Sequence, residues 1–357
     1  MGEKIDIIRL KRSDLYSPTY RQLIESLFGK EQAEKRLRYA QWLFADNPSL
    51  KKDEDLPIYL CRIDNKYVAQ IAVIPVQMIL AGNSIRAGWS VDLQVKSDYQ
   101  RRGIGIKLEN ATYQDFPVIM SLGQSEAGFN IASKLGWHYS DNRLTYYKCF
   151  LGSHLILKYL AIKIGLLKRS EPKALPQKIF RGPKEVSFKS IDSFKEIKTS
   201  LNHQDIKDGK AVLILRTPAF LEWRYACNPF IKYFIHRLRT FDSFDIYIVW
   251  KIVNDNYWRR ARVIDILYSN DVPAVAMKAA LKALRECASF YGADIIECET
   301  SDALVLECLP KTLLSKKYPG KRFLWWTRNM EEIKFTPIDH FKLYAGDCDV
   351  ETIDYLD

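Results

Sequence analysis

With 357 residues, 47% of them hydrophobic and 27% charged, the chain is long enough for two domains with separate cores, and it has the composition of a soluble globular protein. A net charge of +11 suits polyanionic company, and CoA, nucleotide-sugars, RNA or an anionic membrane surface would each satisfy it. Seven cysteines without a CxxC pair or an even disulfide framework match cytosolic usage, and the N-terminus lacks a secretory apolar run, so a cytoplasmic protein is expected.

Ile5 to Leu10 reads as a strand, and Tyr20 to Phe28 and Gln32 to Phe44 as two helices, the second closed by Asn47-Pro48. Strands follow at Ile58 to Ile63, Tyr67 to Ile74, Val76 to Leu80 and Ile85 to Val95, with Asp64-Asn65-Lys66 as a hairpin turn. The last of these alternates, with Val91, Leu93 and Val95 on one face and Ser90, Asp92 and Gln94 on the other. Lys96 to Gly105 is polar and carries two glycines, and Ile104, Leu108 and Ala111 resume at helical spacing. This turn therefore opens a helix, where unpaired amides and the positive end of the macrodipole favour an anion. Gly103 and Gly105 clear the backbone for close approach, and Arg101 and Arg102 add positive charge.

Gln100-Arg-Arg-Gly-Ile-Gly105, placed between a strand and a helix, resembles the Q/R-x-x-G-x-G/A signature of the GNAT acyltransferase superfamily. The resemblance implies that Gln100, Arg101, Arg102, Gly103, Ile104 and Gly105 hold the pyrophosphate of acetyl-CoA. It also implies that Leu93 and Val95 hold pantetheine through main-chain groups, and that the Val95 amide donates to the tetrahedral oxyanion. Asp92, beside the expected thioester, is the leading candidate for general base, although a strand carboxylate is more often a structural acceptor.

Pro117 to Leu122 is the next strand and Ser125 to Leu135 the next helix, ended by Gly136. Ser125 stands where the family often has Asn, as cap and pantetheine partner. Ala132 stands where it often has the Tyr that protonates the departing thiolate; Tyr139, Tyr146 or Tyr147 would have to substitute, although each reads first as a strand aromatic. Glu126 is assigned to the helix dipole. Arg143 to Phe150 is expected to close a first domain, residues 1–150. Leu151 to Leu167 is an apolar helix too short and too charged to span a bilayer. It is either a connecting helix packed on one domain or, over 151–169, a basic helix in weak contact with a membrane surface. Lys168 to Lys184 is a proline-bearing linker.

A second domain, residues 186–335, repeats the first in outline. Tyr233 to Arg239 and Phe244 to Val253 are strands, and Arg262 to Tyr268 resembles Gly88 to Val95. A helix over Pro273 to Tyr291, a strand over Asp294 to Cys298 and a helix from Ser301 follow. Ser269-Asn-Asp271-Val-Pro273 replaces the glycine loop, so this copy is degenerate, and its expected work is to close the acceptor cleft. The fold class is thus α/β (α+β), with two GNAT-like domains, each a mixed, mostly antiparallel twisted sheet flanked by helices. Trp223 and Tyr225 are expected in the core.

Residues 336–357 read as an exposed acidic tail. Its Asp347-Cys-Asp349, with His340 nearby, lacks further ligands at fixed spacing, and no metal is expected. The stretches Phe220 to Tyr225 and Phe341 to Asp349 resemble a branch of tandem GNAT proteins of bacterial surface-polysaccharide synthesis, which implies an amino-sugar or nucleotide-linked amino-sugar acceptor. The expected partners are a CoA thioester and a small amine, not nucleic acid. The rival readings are an aminoacyl-tRNA-dependent transferase of the peptidoglycan-bridge type and a CoA-binding protein without catalysis.

Overall fold

The computed structural model describes residues 4–80, 83–139, 143–152, 154–166, 180, 182–183, 186–195, 197, 213–240, 242–255, 257–269, 271–311, 315–328 and 343–348. In chain order the first half contains β1 (Ile5–Arg9), α1 (Pro18–Phe28), α2 (Lys30–Ala40), β2 (Ile58–Ile63), β3 (Lys66–Leu80), β4 (Asn83–Val95), α3 (Ile104–Asp115), β5 (Val118–Leu122), α4 (Glu126–Lys134), β6 (His138–Tyr139) and β7 (Thr145–Phe150). After α5 (His154–Lys163) come β8 (Val186–Ser190), β9 (Leu213–Ile214), α6 (Pro218–Leu221), β10 (Phe234–Thr240), β11 (Asp245–Asn254) and β12 (Arg259–Tyr268). The chain ends with α7 (Ala274–Phe290), β13 (Ile295–Thr300), α8 (Ala303–Cys308), β14 (Ser315–Pro319) and β15 (Phe323–Thr327).

Two sheets form, ordered β1-β2-β3-β4-β5-β15-β6 with β9 beside β3, and β14-β7-β13-β12-β11-β10-β8. Most pairings are antiparallel, with one parallel pair in each sheet, β4 with β5 and β12 with β13. Asp64 and Asn65 take φ of 46° and 63°, as the tight turn between β2 and β3 requires. Tyr67–Ile74 and Val76–Leu80, expected as separate strands, are one strand. Pro75 is tolerated because β2 pairing ends at Ala72, so one edge of β3 is open there and no ladder bond is lost.

The larger difference from expectation concerns β7. It was expected to close the first sheet, but it pairs with β13 and β14 in the second. In exchange, β15 from the far end of the chain pairs with β5 over Val118–Leu122. Each sheet therefore depends on a strand from the other half of the sequence. One apolar core runs through both halves, from Leu23, Leu37 and Trp89 to Leu221, Ile264 and Leu343.

An internal repeat lies at the centre of that core. Gln41-Trp-Leu-Phe-Ala-Asp-Asn-Pro48 and Glu222-Trp-Arg-Tyr-Ala-Cys-Asn-Pro229 each begin with a π-helical turn at the end of a helix. Trp42 and Trp223 stack at 5.2 Å, and each indole N–H donates to the other's carbonyl, at 3.4 and 3.0 Å. Asn47 and Asn228 make matching bonds to the carbonyls of Leu43 and Arg224. The two halves are thus joined through their equivalent turns.

Candidate functional site

The site begins where β4 and β5 part. Their parallel pairing covers only Ala87–Trp89 against Val118–Met120, while β4 runs on to Val95. A bulge at Asp92, which has a φ of 52°, lies just past the fork and resets the alternation. The face assignment from sequence is corrected accordingly. Val91 joins the core under α1 and α2, and Leu93 and Val95 join the core under α3. The Lys96 amide donates to Val68 at 3.0 Å, so antiparallel alternation turns the main-chain groups of Val95 to the opposite edge, toward the gap. The Gln100 side chain donates through Nε2 to the Val95 carbonyl at 3.1 Å, which ties the loop to the strand.

The loop then delivers a helix N-terminus beside the gap. Gly103 is left-handed, with a φ of 75°, and has open space where a Cβ would be. The first intrahelical bond runs from the Lys107 amide to Gly103, leaving the preceding amides without helical partners. Gly105 serves a different purpose, because a Cβ there would lie 2.9 Å from Ile131 of α4. Arg101 is exposed and left-handed, at 62°, and the Arg102 guanidinium lies over Tyr99 at 5.0 Å. Strain in a non-glycine residue beside a cluster of free amides is the pattern of an anion cradle. Ser125 caps α4 by accepting from the Gly128 amide at 3.2 Å.

On the other side of β4, Asp92 meets α2, where Arg36 lies 3.5 Å away. Burial raises the Asp92 carboxyl above the usual carboxylate range, and the Arg36 guanidinium opposes that shift. Tyr20, from α1, lies within electrostatic range of Asp92 and donates to Gln70 of β3 at 3.1 Å. Arg36, Tyr20 and Gln70 were not singled out from sequence, because only the fold brings them to the bulge.

Glu109 was also missed. It is buried between α3 and β4, accepts from the Ser90 hydroxyl at 3.4 Å, and has its second carboxyl oxygen without a partner. Burial pushes its pKa up to about 8. Since the folded-state value is raised, the associated stability is fully present below the ordinary carboxylate range and is lost as pH rises through about 8. Glu109→Gln removes this titration, so the variant should match wild type near pH 5 and exceed it by roughly 2–4 kcal/mol near pH 9 in urea denaturation.

Several sequence candidates lie elsewhere. Ala132 lies on the buried face of α4, in the core shared with α3. The Tyr146 and Tyr147 hydroxyls donate to Glu297 and to the Pro310 carbonyl in the second sheet, so these residues do not serve the first-half fork. Tyr139 remains exposed on β6, against Phe129. Glu126 occupies the first turn of α4, as expected for a dipole partner. Trp223 and Tyr225 are buried, as expected. Among the described residues no His/Cys/Asp/Glu group could hold a metal ion, and His340 and Asp349 lie outside them.

The second half repeats the fork but fills it. Parallel pairing of β12 and β13 stops at Val263 and Cys298, and β12 is irregular near Ile264. Residues 343–348 enter the space beyond. Thr300 bridges Tyr344, the Ser301 amide donates to Leu343, and a Cβ on Gly346 would strike the Tyr225 hydroxyl and the Ile264 carbonyl. Arg224 and Tyr225 stand in the repeat where the first half has Leu43 and Phe44. Arg224 donates to the carbonyls of Gly346 and Cys348, and Tyr225 donates to Asp265. Asp347 is therefore not part of an exposed acidic tail. It is buried against Arg216 at 2.6 Å, and Arg216 also binds Asp265 at 2.9 Å.

Residues 7–139 match the family model described as Acetyltransferase (GNAT) domain. No curated protein matches the sequence. Among solved structures, the chain is similar to a GCN5-related N-acetyltransferase from Kribbella flavida, at 14% identity and a TM-score of 0.58, covering 90% of this chain and 71% of that one. A GCN5-related N-acetyltransferase from Anabaena variabilis is similar at 10% identity and a TM-score of 0.55, covering 91% and 73%. N-myristoyltransferase of Saccharomyces cerevisiae, with bound myristoyl-CoA, is similar at 11% identity and a TM-score of 0.51, covering 92% and 80%. At these identities the likeness is one of fold, and it extends over both halves. The first half of this chain thus matches an acetyltransferase (GNAT) domain, and the fold is shared with such structures over about nine-tenths of the chain.

Proposed function

We propose that the protein is an acetyl-CoA-dependent N-acyltransferase, with its donor site at the β4–β5 fork and an amine as acceptor. The observation that carries this reading is the contrast between the forks. The first opens onto unpaired amides flanked by Gly103, Arg101 and Arg102, and the second is occupied by residues 343–348. Pantetheine would follow the free edge of β4 through Leu93 and Val95, with Ser125 beside it. The pyrophosphate would lie against Gln100 to Gly105.

In this reading an acceptor amine attacks the thioester carbonyl directly, in a ternary complex. Asp92 takes the amine proton, the Val95 amide donates to the developing oxyanion, and collapse of the tetrahedral intermediate breaks the C–S bond, so that CoA leaves as the thiolate and takes a proton from water while Asp92 returns its own to solvent. The second half closes the acceptor side. Its Phe230 packs on Tyr39 of α2 at 5.7 Å, one helical turn from Arg36. Resemblance to proteins of surface-polysaccharide synthesis makes an amino sugar, free or nucleotide-linked, the acceptor of first choice. Ala132 favours a second reading, a CoA-binding protein without turnover. Thiol release from acetyl-CoA across a panel of amines separates them: amine-dependent release supports transfer, and tight CoA binding without release supports the second reading.

A further inference from the structure

The described residues expose ten large hydrophobic or aromatic side chains, and five of them fall between Leu157 and Leu166, so the exposure is local to α5 and its end. One face of α5 is anchored. Leu155 is buried with Trp258 and Ile295, Lys158 pairs with Asp294 at 2.8 Å, and Tyr159 packs on Phe150. Among the described residues the opposite face stays exposed. Leu157, Leu160 and Ile164 follow at i, i+3 and i+7, which aligns them along one side of the helix, with exposures of 71%, 50% and 70%. Leu166 extends the patch at 73%.

The charge carried by this stretch of chain is of one sign. From Leu151 to Ser170 the sequence contains no Asp or Glu, while Lys163, Lys168 and Arg169 flank the apolar positions in sequence. An apolar ridge with cations and no acids is complementary to a surface that is anionic at its headgroups and apolar just beneath them. A partner protein would need an apolar groove rimmed with acids, whereas an anionic bilayer offers both features over any area. No helix among the described residues is long and apolar enough to cross a membrane, so contact through α5 would be peripheral.

We propose that α5 docks the protein on anionic phospholipid surfaces, with Leu157, Leu160, Ile164 and Leu166 entering the headgroup layer and Lys163 at the phosphate level. This proposal does not depend on the acyltransferase reading. It is tested by sedimentation of the full chain with phosphatidylserine–phosphatidylcholine vesicles and with phosphatidylcholine vesicles alone. The expected result is binding to the anionic vesicles only, with partitioning reduced at least about tenfold in Leu157→Glu/Leu160→Glu/Ile164→Glu. All three positions are exposed, so the variant should keep the wild-type melting temperature. Failure of wild type to bind, or equal binding by the variant, would overturn the proposal. So would self-association of wild type that the variant abolishes without any vesicle binding, because the face would then belong to a second copy.

Discussion

Arg216→Met is expected to cost about 3–5 kcal/mol of stability at pH 8, because it leaves two buried carboxylates facing each other without their shared cation. Arg216 is 2% exposed, and besides Asp265 and Asp347 it reaches the Ile214 carbonyl at 3.2 Å. Burial already pushes Asp347 up to about 6, and neighbouring Asp265 adds to that while Arg216 opposes it. Because this folded-state value is raised, stability from Asp347 is fullest below its ordinary range and falls as pH rises through about 6. Without Arg216 the Asp347 carboxyl should rise further, so the deficit should shrink on acidification to pH 5. Chemical denaturation at the two pH values measures this. A loss under about 1 kcal/mol at pH 8 would mean that residues 343–348 are not held in the second fork as described.

Asp92→Asn is expected to lower kcat by roughly 10²–10⁴-fold, the usual contribution of a general base, while leaving CoA affinity within a few fold. The substitution preserves shape and removes only the proton acceptor. Burial raises the Asp92 carboxyl, so the acidic limb of the wild-type kcat/KM profile should lie above the usual carboxylate range and disappear in the variant. Arg36→Met should move that limb to higher pH, since the guanidinium lowers the Asp92 pKa. An unchanged profile in Asp92→Asn would remove Asp92 from the chemistry and leave it as an ion-pair partner of α2.

Much of the local structure was legible because it rests on short-range pattern. The apolar run of β2, the turn at Asp64-Asn65, the glycine cap of α3 and the long amphipathic α7 all follow from neighbours within a few residues. The exchange of β7 and β15 was not legible, since strand partners are set by non-local pairing that neither short run encodes. Asp347 looked like a solvent-facing acid for the same reason, because its cation lies 131 residues away. The bulge at Asp92 gave no signal, since a single left-handed residue does not disturb an alternating run enough to reveal itself. One available signal was overlooked. The octets Gln41–Pro48 and Glu222–Pro229 share Trp, Ala, Asn and Pro at the same spacing, and comparing them would have shown both the duplication and the polar replacements that hold residues 343–348.

Calorimetric titration of acetyl-CoA tests the contrast between the two forks most directly. The account predicts one site per chain, lost in Arg101→Glu/Arg102→Glu with the fold intact. Absence of binding by the wild type, or two equivalent sites per chain, would contradict it.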